Sequence, residues 1–394
     1  MKLSGKSVVW AVFVLVCAVT PAIVSAQIQL NDGNAALLPT VTLRPAETVR
    51  LPGIVNPETG DEFSVDCNSP VEWDADGNLI VFTSAQYPTR SQGRDLFSLE
   101  YASRPVTILH REGVDGGKWL EATYRDQDGT IYGWYHNEPP GLCADEHLTA
   151  PRIGAMVSRD NGLTWEDLGI ILEAPADSLN CDTQNFYFAG GNGDFTVILD
   201  RDNQYFYFHY DSYRPQVELQ GICMARMRFE DRADPIGKVW KWRNGDWNEP
   251  GLGGDVTPII PVAGDWHSSE VDAMWGPAVH FNTHLDQYVM LLNRAVDTQW
   301  TQEGVYISYN RNLHDPLGWS APQRLPLDPQ QQAYPEVIGT APGETDKRAG
   351  RVARLFLLGQ SSFEIVFDLP RETLSAPSPF RDPLDHGPNP PARP

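Results

Sequence analysis

The sequence predicts an all-β fold, a five-bladed β-propeller of four-stranded antiparallel blades, and three observations lead to it. Residues 191–213 contain two short runs rich in β-branched and aromatic side chains around the polar turn 200–204, which is typical of a β-hairpin. Similar hairpins begin near residues 67, 119, 274 and 334. Spacings of roughly 50–80 residues between them are typical of propeller blades. No long amphipathic helical pattern interrupts the series.

The ends of the chain have a different composition from the repeats. Residues 1–26 are expected to be a signal peptide, because two lysines precede the apolar run 8–19 and small residues at 24–26 suit cleavage. An extended segment is expected over 27–64, the propeller over 65–372, and a Pro-rich disordered tail over 373–394. The chain is therefore expected to be secreted or periplasmic, and to be a monomer.

The charge of the chain argues against two classes of partner. The formal net charge is −22, and it becomes −24 when Lys2 and Lys6 leave with the signal peptide. An acidic surface repels phosphate backbones and anionic lipids, so neither nucleic acid nor a membrane is an expected partner. The apolar run 8–19 is short for a bilayer span, and the sequence contains no other candidate span.

Four cysteines follow the predicted signal peptide: Cys67, Cys143, Cys181 and Cys223. An exported chain can form disulfides, and four cysteines allow three full pairings. Cys143 and Cys181 both lie in irregular loop segments and are the favoured pair, whereas Cys223 lies in an apolar run typical of a buried thiol. No CxxC motif or Cys/His cluster appears along the chain, so no metal ligand is predicted.

The repeated D-x-D-G turns are predicted to be structural. A calcium loop of the EF-hand type needs an acidic ligand at its twelfth position. Counted from Asp74 that position is Ala85, and counted from Asp126 it is Asn137. Both segments are therefore interpreted as hairpin turns.

The octapeptide SRDNGLTW at residues 158–165 fits the pattern S-x-D-x-G-x-T-W. It resembles the Asp-box of sialidase-like propellers, which implies a structural hairpin turn remote from the active site. Asp160 can accept backbone N–H bonds within such a turn, Gly162 allows a positive φ, and Trp165 can fill the blade.

The segment from YISYN to the following proline resembles the outer strands of five-bladed glycoside hydrolases. It carries Leu313, Pro316, Trp319, Ser320 and Pro322 in the order found in arabinanases, xylosidases, fructosidases and mannoside phosphorylases. The resemblance implies cleavage of glycosidic bonds in a polysaccharide or glycoconjugate. It also implies an Asp base on the first blade, matched by Asp66, and a second Asp that tunes a pKa, matched by Asp194. Some of these hydrolases hold an ion in the central channel, so calcium is the one cofactor left open.

Acidic residues at the start of the predicted blades are the candidates for catalysis. The first strand of each blade lines the channel of a propeller, so residues at corresponding positions converge although they are distant in sequence. Glycoside cleavage needs two carboxyl groups, and clustered acids raise one another's pKa. The catalytic candidates are Asp66, Glu121, Asp194, Asp272 and Glu336. The general acid is left open among Glu121, Glu270 and Glu336.

A second group of side chains has the chemistry of a sugar-binding cleft. Aromatic rings stack on sugar faces, and amide, guanidinium and imidazole groups bind hydroxyls. The substrate-binding candidates are Asn68, His136, Glu138, Arg152, Trp275, His280 and Asn293.

Three alternatives to a polysaccharide hydrolase remain. A sialidase-like exo-hydrolase would need an arginine triad and usually several Asp-boxes, and a phosphorylase would need a basic phosphate pocket, for which Arg90, Arg94 and Arg152 are available. A non-catalytic carbohydrate-binding propeller would not need two channel carboxyl groups within roughly 5–10 Å of each other.

Overall fold

The computed structural model describes residues 38–55, 62–63, 65–100, 104–327 and 333–370. The predicted signal peptide and the predicted Pro-rich tail both lie outside these residues. No helix among the described residues is long and apolar enough to cross a membrane.

Five sheets form the five blades that the sequence predicts, with two additional strands, Ile54–Val55 and Glu62–Phe63, paired apart from them. Blade 1 contains Val71–Trp73, Leu79–Thr83, Thr89–Gly93 and Arg104–Pro105. Blade 2 contains Gly117–Arg125, Ile131–Glu138, Arg152–Ser158 and Thr164–Leu172, with Thr107–Leu109 added at its edge.

The remaining three blades continue the pattern. Blade 3 contains Asn192–Leu199, Tyr205–Ser212, Gly221–Arg228, Val239–Arg243, Asp246–Pro250 and Ile260–Pro261, with short 3₁₀ turns at Val217–Leu219 and Phe229–Ala233. Blade 4 contains Ala273–Asn282, Gln287–Ala295, Gln302–Asn310 and Gln323–Arg324, with Arg348–Ala349 added beside its inner strand. Blade 5 contains Pro335–Gly339, Val352–Leu357, Gln360–Asp368 and Thr40–Arg50.

The outer strand of blade 5 comes from the start of the described chain. Thr40–Arg50 pairs antiparallel with Gln360–Asp368, and Thr40 lies opposite Asp368. The propeller therefore begins earlier than the predicted residue 65, inside the segment 27–64 that the sequence analysis set apart from it. This pairing joins the two ends of the propeller in one sheet and closes the ring.

Each pair of neighbouring blades shares its own apolar cluster, so the core consists of five interfaces around a ring. Val71 and Phe356 join blades 1 and 5, and Phe82 packs with Trp165 between blades 1 and 2. The other clusters join blades 2 and 3, blades 3 and 4, and blades 4 and 5. Both faces of the inner strands are buried by these contacts, which explains why their sequences do not alternate.

Polar turns connect the hairpins as predicted. Asp74 Oδ1 accepts the N–H groups of Asp76 and Asn78 at 3.0 and 2.8 Å, and Gly77 has a φ of 77°. Asp160 Oδ1 accepts the N–H groups of Leu163 and Thr164 at 3.1 and 2.9 Å. The D-x-D-G turn at Asp74 and the octapeptide turn at Asp160 are therefore structural.

The cysteines also follow the prediction. Cys143 and Cys181 form a disulfide, which joins two loops, and Cys67 and Cys223 are buried free thiols.

Candidate active site at the channel mouth

Irregularities in the inner strands place side chains at one mouth of the channel. In blade 3 the pairing skips Asp194, whose φ of 42° marks a β-bulge, and in blade 2 it skips Glu121 between Leu120 and Ala122. Cys67 and Tyr334 precede the inner strands of blades 1 and 5 with φ values of 72° and 49°. Bulges redirect side chains and often lie beside functional sites. Local irregularity in four blades thus brings their polar groups together.

Four of these side chains form what we call the central cluster: Cys67, Glu121, His136 and Asp194. One donor atom from each lies within 4.8 Å of the donor atoms of the other three. All four residues are buried, with Glu121 1% exposed and Asp194 3% exposed. The cluster therefore combines a thiol, an imidazole and two carboxyl groups from three blades.

Hydrogen bonds from two tyrosines fix the Asp194 carboxyl group. The hydroxyl of Tyr213 donates to Asp194 Oδ2 at 2.5 Å, and that of Tyr334 donates to Oδ1 at 3.3 Å. Burial raises the pKa of Asp194 to about 7, and the neighbouring Glu121 carboxylate contributes in the same direction, whereas His136 opposes it. Asp194 is therefore held by donors in an environment that disfavours its charge.

Glu121 and His136 are fixed in a similar way. The Phe195 N–H of blade 3 donates to Glu121 Oε2 at 2.8 Å. The Asp194 N–H donates to His136 Nδ1 at 3.2 Å, and His136 Nε2 lies 3.2 Å from Glu138 Oε1. His136 Nδ1 also lies 3.3 Å from Glu121 Oε1. Burial disfavours the charged ring, but the hydrogen bonds with Glu121 and Glu138 raise the pKa of His136 well above its ordinary value.

Two further carboxyl groups lie toward the solvent side of the cluster. Asp66 is intermediate in exposure, and the side chain of Glu138 is 31% exposed. Burial raises the pKa of Asp66, the hydrogen bond from Tyr334 opposes this, and the charge of Glu138 adds to it. Asp66 and Glu138 are therefore electrostatic neighbours that retain access to solvent.

Asp211 is a buried acid that the sequence analysis missed. The Gly276 N–H of blade 4 donates to Asp211 Oδ2 at 2.8 Å. Burial raises its pKa well above the ordinary value, and the Asp194 carboxylate adds to the effect. Asp211 lies near the end of the aromatic strand Tyr205–Ser212. The change from aromatic residues to an acidic one was the feature of the sequence that could have indicated it.

Two of the predicted catalytic acids lie elsewhere. Asp272 forms a two-pronged ion pair with Arg294 at 2.7 and 2.8 Å, and this arginine lowers its pKa. Glu336 accepts the Ser69 N–H at 3.1 and 3.2 Å and lines a small channel cavity with Asp346 and Lys347. The structure therefore brings Asp66, Glu121 and Asp194 together, but leaves Asp272 and Glu336 outside the central cluster. Glu270 is exposed on a loop.

The predicted substrate-binding residues divide between the mouth and deeper positions. Asn68 donates to the Pro277 carbonyl at 3.3 Å, Asn293 is fully buried, and burial lowers the pKa of His280 to about 3. Trp275 is 3% exposed and donates to Gln302 Oε1 at 3.0 Å. These four residues have structural surroundings, whereas His136 and Glu138 belong to the site.

Arg152 lies on the rim of blade 2. It donates to Asn137 Oδ1 at 2.8 Å and lines a cavity of about 190 Å³ together with Leu142 and Leu179, which flank the disulfide. Arg90 donates to the Asn161 carbonyl at 2.7 Å, between blades 1 and 2, and Arg94 is exposed. Arg90 is thus engaged in blade contacts.

Aromatic side chains surround the mouth. Phe188, Tyr213, Trp266 and Trp275 pack in one cluster with Trp300 and Tyr334 at its edge. Phe186 and Tyr187 are 44% and 45% exposed, and the Tyr187 ring meets the Trp300 ring edge-on at 5.7 Å. Exposed rings beside a polar cluster offer stacking surfaces for a sugar.

Comparisons with known proteins give similarity of structure alone. No family model matches the chain, and no curated protein matches it. The structure is similar to the exo-β-1,3-galactanase of Phanerochaete chrysosporium, with 12% identity, 81% of this chain and 63% of that chain covered, and a TM-score of 0.45. This chain therefore spans less than two thirds of the galactanase.

Two further solved structures are similar along most of their length. The endo-arabinase of Bacteroides thetaiotaomicron has 12% identity, with 79% of this chain and 96% of that chain covered, and a TM-score of 0.46. The α-L-arabinofuranosidase of Podospora anserina has 11% identity, with 82% and 95% covered, and a TM-score of 0.47. All three are glycoside hydrolases, but at such scores the likeness carries no argument about activity, and the five sheets themselves establish the fold.

Proposed function

We propose that the protein is a secreted glycoside hydrolase that cleaves a polysaccharide or glycoconjugate with Asp66 and Glu138 as its reacting carboxyl groups. The observation that carries this proposal is the pairing of two partly exposed acids above buried ones. Asp66 and Glu138 influence each other electrostatically, and both retain some exposure to solvent.

The two carboxyl groups have different surroundings, which suits different roles. Glycosidases need one carboxylic acid to protonate the leaving oxygen and one carboxylate to act as base or nucleophile. Burial raises the pKa of Asp66, and a hydrogen bond from Tyr334, whose single hydroxyl proton Asp194 also attracts, favours its charged form. We assign Asp66 as the base or nucleophile. Glu138 lies at the rim and is assigned as the acid, with the proton on His136 Nε2 orienting its carboxyl group.

The buried acids support the reaction indirectly. Glu121 and Asp194 are fixed by N–H and O–H donors. Burial raises the pKa of Asp66, and the charge of Glu121 contributes in the same direction. Tyr187 and Trp300 offer faces on which a sugar ring can stack.

Secretion is supported by two features of the chain. The N-terminal segment has the pattern of a signal peptide, and the Cys143–Cys181 disulfide is of the kind that persists in oxidising compartments.

A non-catalytic carbohydrate-binding propeller is the second candidate. The observation that favours it is the burial of Glu121, Asp194 and Asp211, which are at most 3% exposed. A binding protein would use the aromatic rim and the outer carboxyl groups as hydrogen-bond acceptors, and would release no product.

The experiment is hydrolysis of a panel of aryl glycosides and of plant and bacterial polysaccharides. Wild type is compared with Asp66→Asn and Glu138→Gln, and Glu146→Gln serves as the matched control because Glu146 is an exposed rim acid outside the site. We expect turnover by the wild type and the control, and losses of about 100-fold or more in both site variants. Glycan binding without turnover would favour the binding propeller, and turnover unaffected by both variants would refute the assigned acids.

A further inference from the structure

The central cluster has the donor set of a transition-metal site. Cys67 offers a sulfur, His136 a nitrogen, and Glu121 and Asp194 one oxygen each, and these four atoms lie within 4.8 Å of one another. Four such donors around one point are typical of zinc, which prefers tetrahedral coordination by sulfur, nitrogen and oxygen. The residues come from blades 1, 2 and 3, so their spacing in sequence could not show the set.

The positions of two donors already fit a tetrahedron. His136 Nδ1 and Glu121 Oε1 are 3.3 Å apart. Ligands about 2.0–2.1 Å from a tetrahedral ion are separated from each other by roughly 3.3 Å. The donor atoms of Cys67 and Asp194 lie within 4.8 Å of those of His136 and Glu121.

One buried carboxylate oxygen of the cluster has few partners. Glu121 Oε1 has no hydrogen-bond partner among the described residues, although Glu121 is 1% exposed. Its nearest recorded partner is His136 Nδ1 at 3.3 Å, and a cation beside a buried carboxylate oxygen offsets the cost of burying it.

The composition of the cluster points the same way. It holds two buried carboxyl groups, a thiol and one imidazole. Buried charges in proteins are paired or coordinate metals. A divalent ion can pair with both carboxylates at once.

The surrounding hydrogen bonds match those of a metal site. Metal-bound histidines almost always donate their other ring N–H to a carboxylate or carbonyl, and His136 Nε2 lies 3.2 Å from Glu138 Oε1. The carboxylate ligands are also held by donors, with Tyr213 on Asp194 and the Phe195 N–H on Glu121. These hydrogen bonds therefore already orient the side chains of the proposed ligands.

We propose that Cys67, Glu121, His136 and Asp194 bind one zinc-class divalent ion in the channel. Binding displaces the thiol proton of Cys67 together with any proton held by Asp194 or by the coordinating nitrogen of His136. These protons are released to solvent, and the ion is held by one S, one N and two O atoms. A thiolate and an imidazole select a borderline-soft ion over calcium, which takes oxygen ligands. The proposal does not depend on glycosidase activity.

Cobalt substitution tests the site, because Co²⁺ occupies zinc sites and its spectrum reports its ligands. The full-length mature protein is stripped with a chelator, titrated with Co²⁺, and examined for one ion per chain, tetrahedral d–d bands and a sulfur-to-cobalt charge-transfer band. Cys67→Ser removes the thiolate, and Cys223→Ser is the matched control because Cys223 is the other buried free thiol. Zn²⁺ and Ca²⁺ are then added as competitors.

We expect the charge-transfer band in the wild type and in Cys223→Ser, its loss in Cys67→Ser, and an affinity at least tenfold weaker in that variant. Zn²⁺ should displace Co²⁺, and Ca²⁺ should not. Absence of stoichiometric Co²⁺ binding, binding without the sulfur band, or displacement by Ca²⁺ would overturn the proposal. If Cys67→Ser does not fold, the wild-type spectrum alone decides, since the band requires a thiolate ligand.

Discussion

Replacement of Trp165 by alanine tests whether the interface between blades 1 and 2 supports the whole ring. Trp165 is fully buried, and its indole N–H donates to the Gly162 carbonyl at 3.0 Å. Its ring meets the Phe82 ring of blade 1 edge-on at 5.6 Å. A Cβ on Gly133 would lie 2.8 Å from the indole, so backbone packs directly against the ring.

The expected loss of stability follows from the burial of the Trp165 ring and from the absence of neighbouring side chains that could fill its space. Loss of a buried Trp side chain typically costs about 3–5 kcal/mol, and the cost is greatest where the surroundings cannot collapse into the space. Here the neighbours on one side are glycines without side chains, and the Gly162 carbonyl loses its donor. We therefore expect a loss of about 4 kcal/mol in the free energy of unfolding.

Urea unfolding followed by far-UV circular dichroism measures this loss as a lower midpoint at unchanged m-value. Trp240→Ala is the control, because Trp240 is 45% exposed and its removal should change the free energy of unfolding by about 0.5 kcal/mol or less. A loss below about 2 kcal/mol for Trp165→Ala, or equal losses in both variants, would refute the packing argument.

Two further predictions concern stability. Burial lowers the pKa of His209 to about 3, and its ring nitrogens have no hydrogen-bond partner among the described residues. Between pH 6.5 and 3 the unfolded state therefore binds a proton that the folded state does not bind. The free energy of unfolding then falls by about 1.4 kcal/mol for each pH unit of acidification. His209→Phe removes this penalty, so its unfolding free energy relative to wild type should rise by about 2 kcal/mol between pH 6.5 and 5.0 in urea titrations, whereas parallel curves would contradict the assignment. Removal of the disulfide by Cys143→Ser with Cys181→Ser opens a loop with a sequence separation of 38. It should cost about 4 kcal/mol by the chain-entropy model, and an unchanged urea midpoint would show that the loops are held by other contacts.

The inner hairpins were predictable because their signals are local. The turn at Asp74 carries its own acceptor, and its glycine supplies the positive φ. Repetition of such turns between β-like runs was sufficient to count five blades. The strand Thr40–Arg50 was not predicted to belong to the propeller, because its partner Gln360–Asp368 lies at the other end of the chain and nothing local indicates the pairing.

The sequence predicted the convergence of the site residues only where the position of a residue within its blade determines which side chains it contacts. Asp66 and Asp194 precede or begin inner strands and converge, as expected from a ring of similar blades. Asp272 does not join them because its carboxyl group forms an ion pair with Arg294 on the neighbouring strand. Glu336 lies two residues farther along its blade than Tyr334, and it is Tyr334 that reaches Asp194.

Two buried polar residues that the sequence analysis missed could be found only from the three-dimensional structure. Cys67 is a lone thiol in sequence, and only the approach of blades 2 and 3 gives it partners. In the sequence, Asp211 is only the polar end of an aromatic strand. The structure shows that it accepts the Gly276 N–H of blade 4.

The most direct test of the proposed activity compares leaving groups in the two site variants, on whichever glycoside the wild type hydrolyses. A general acid matters for an alkyl leaving group, which needs protonation, and matters much less for a dinitrophenyl group, which does not. Glu138→Gln should lose about 100-fold or more in kcat/KM on the alkyl glycoside and less than about tenfold on the dinitrophenyl glycoside, whereas Asp66→Asn should lose about 100-fold or more on both. Equal losses on both substrates in Glu138→Gln, or full activity in Asp66→Asn, would contradict the roles assigned to these two carboxyl groups.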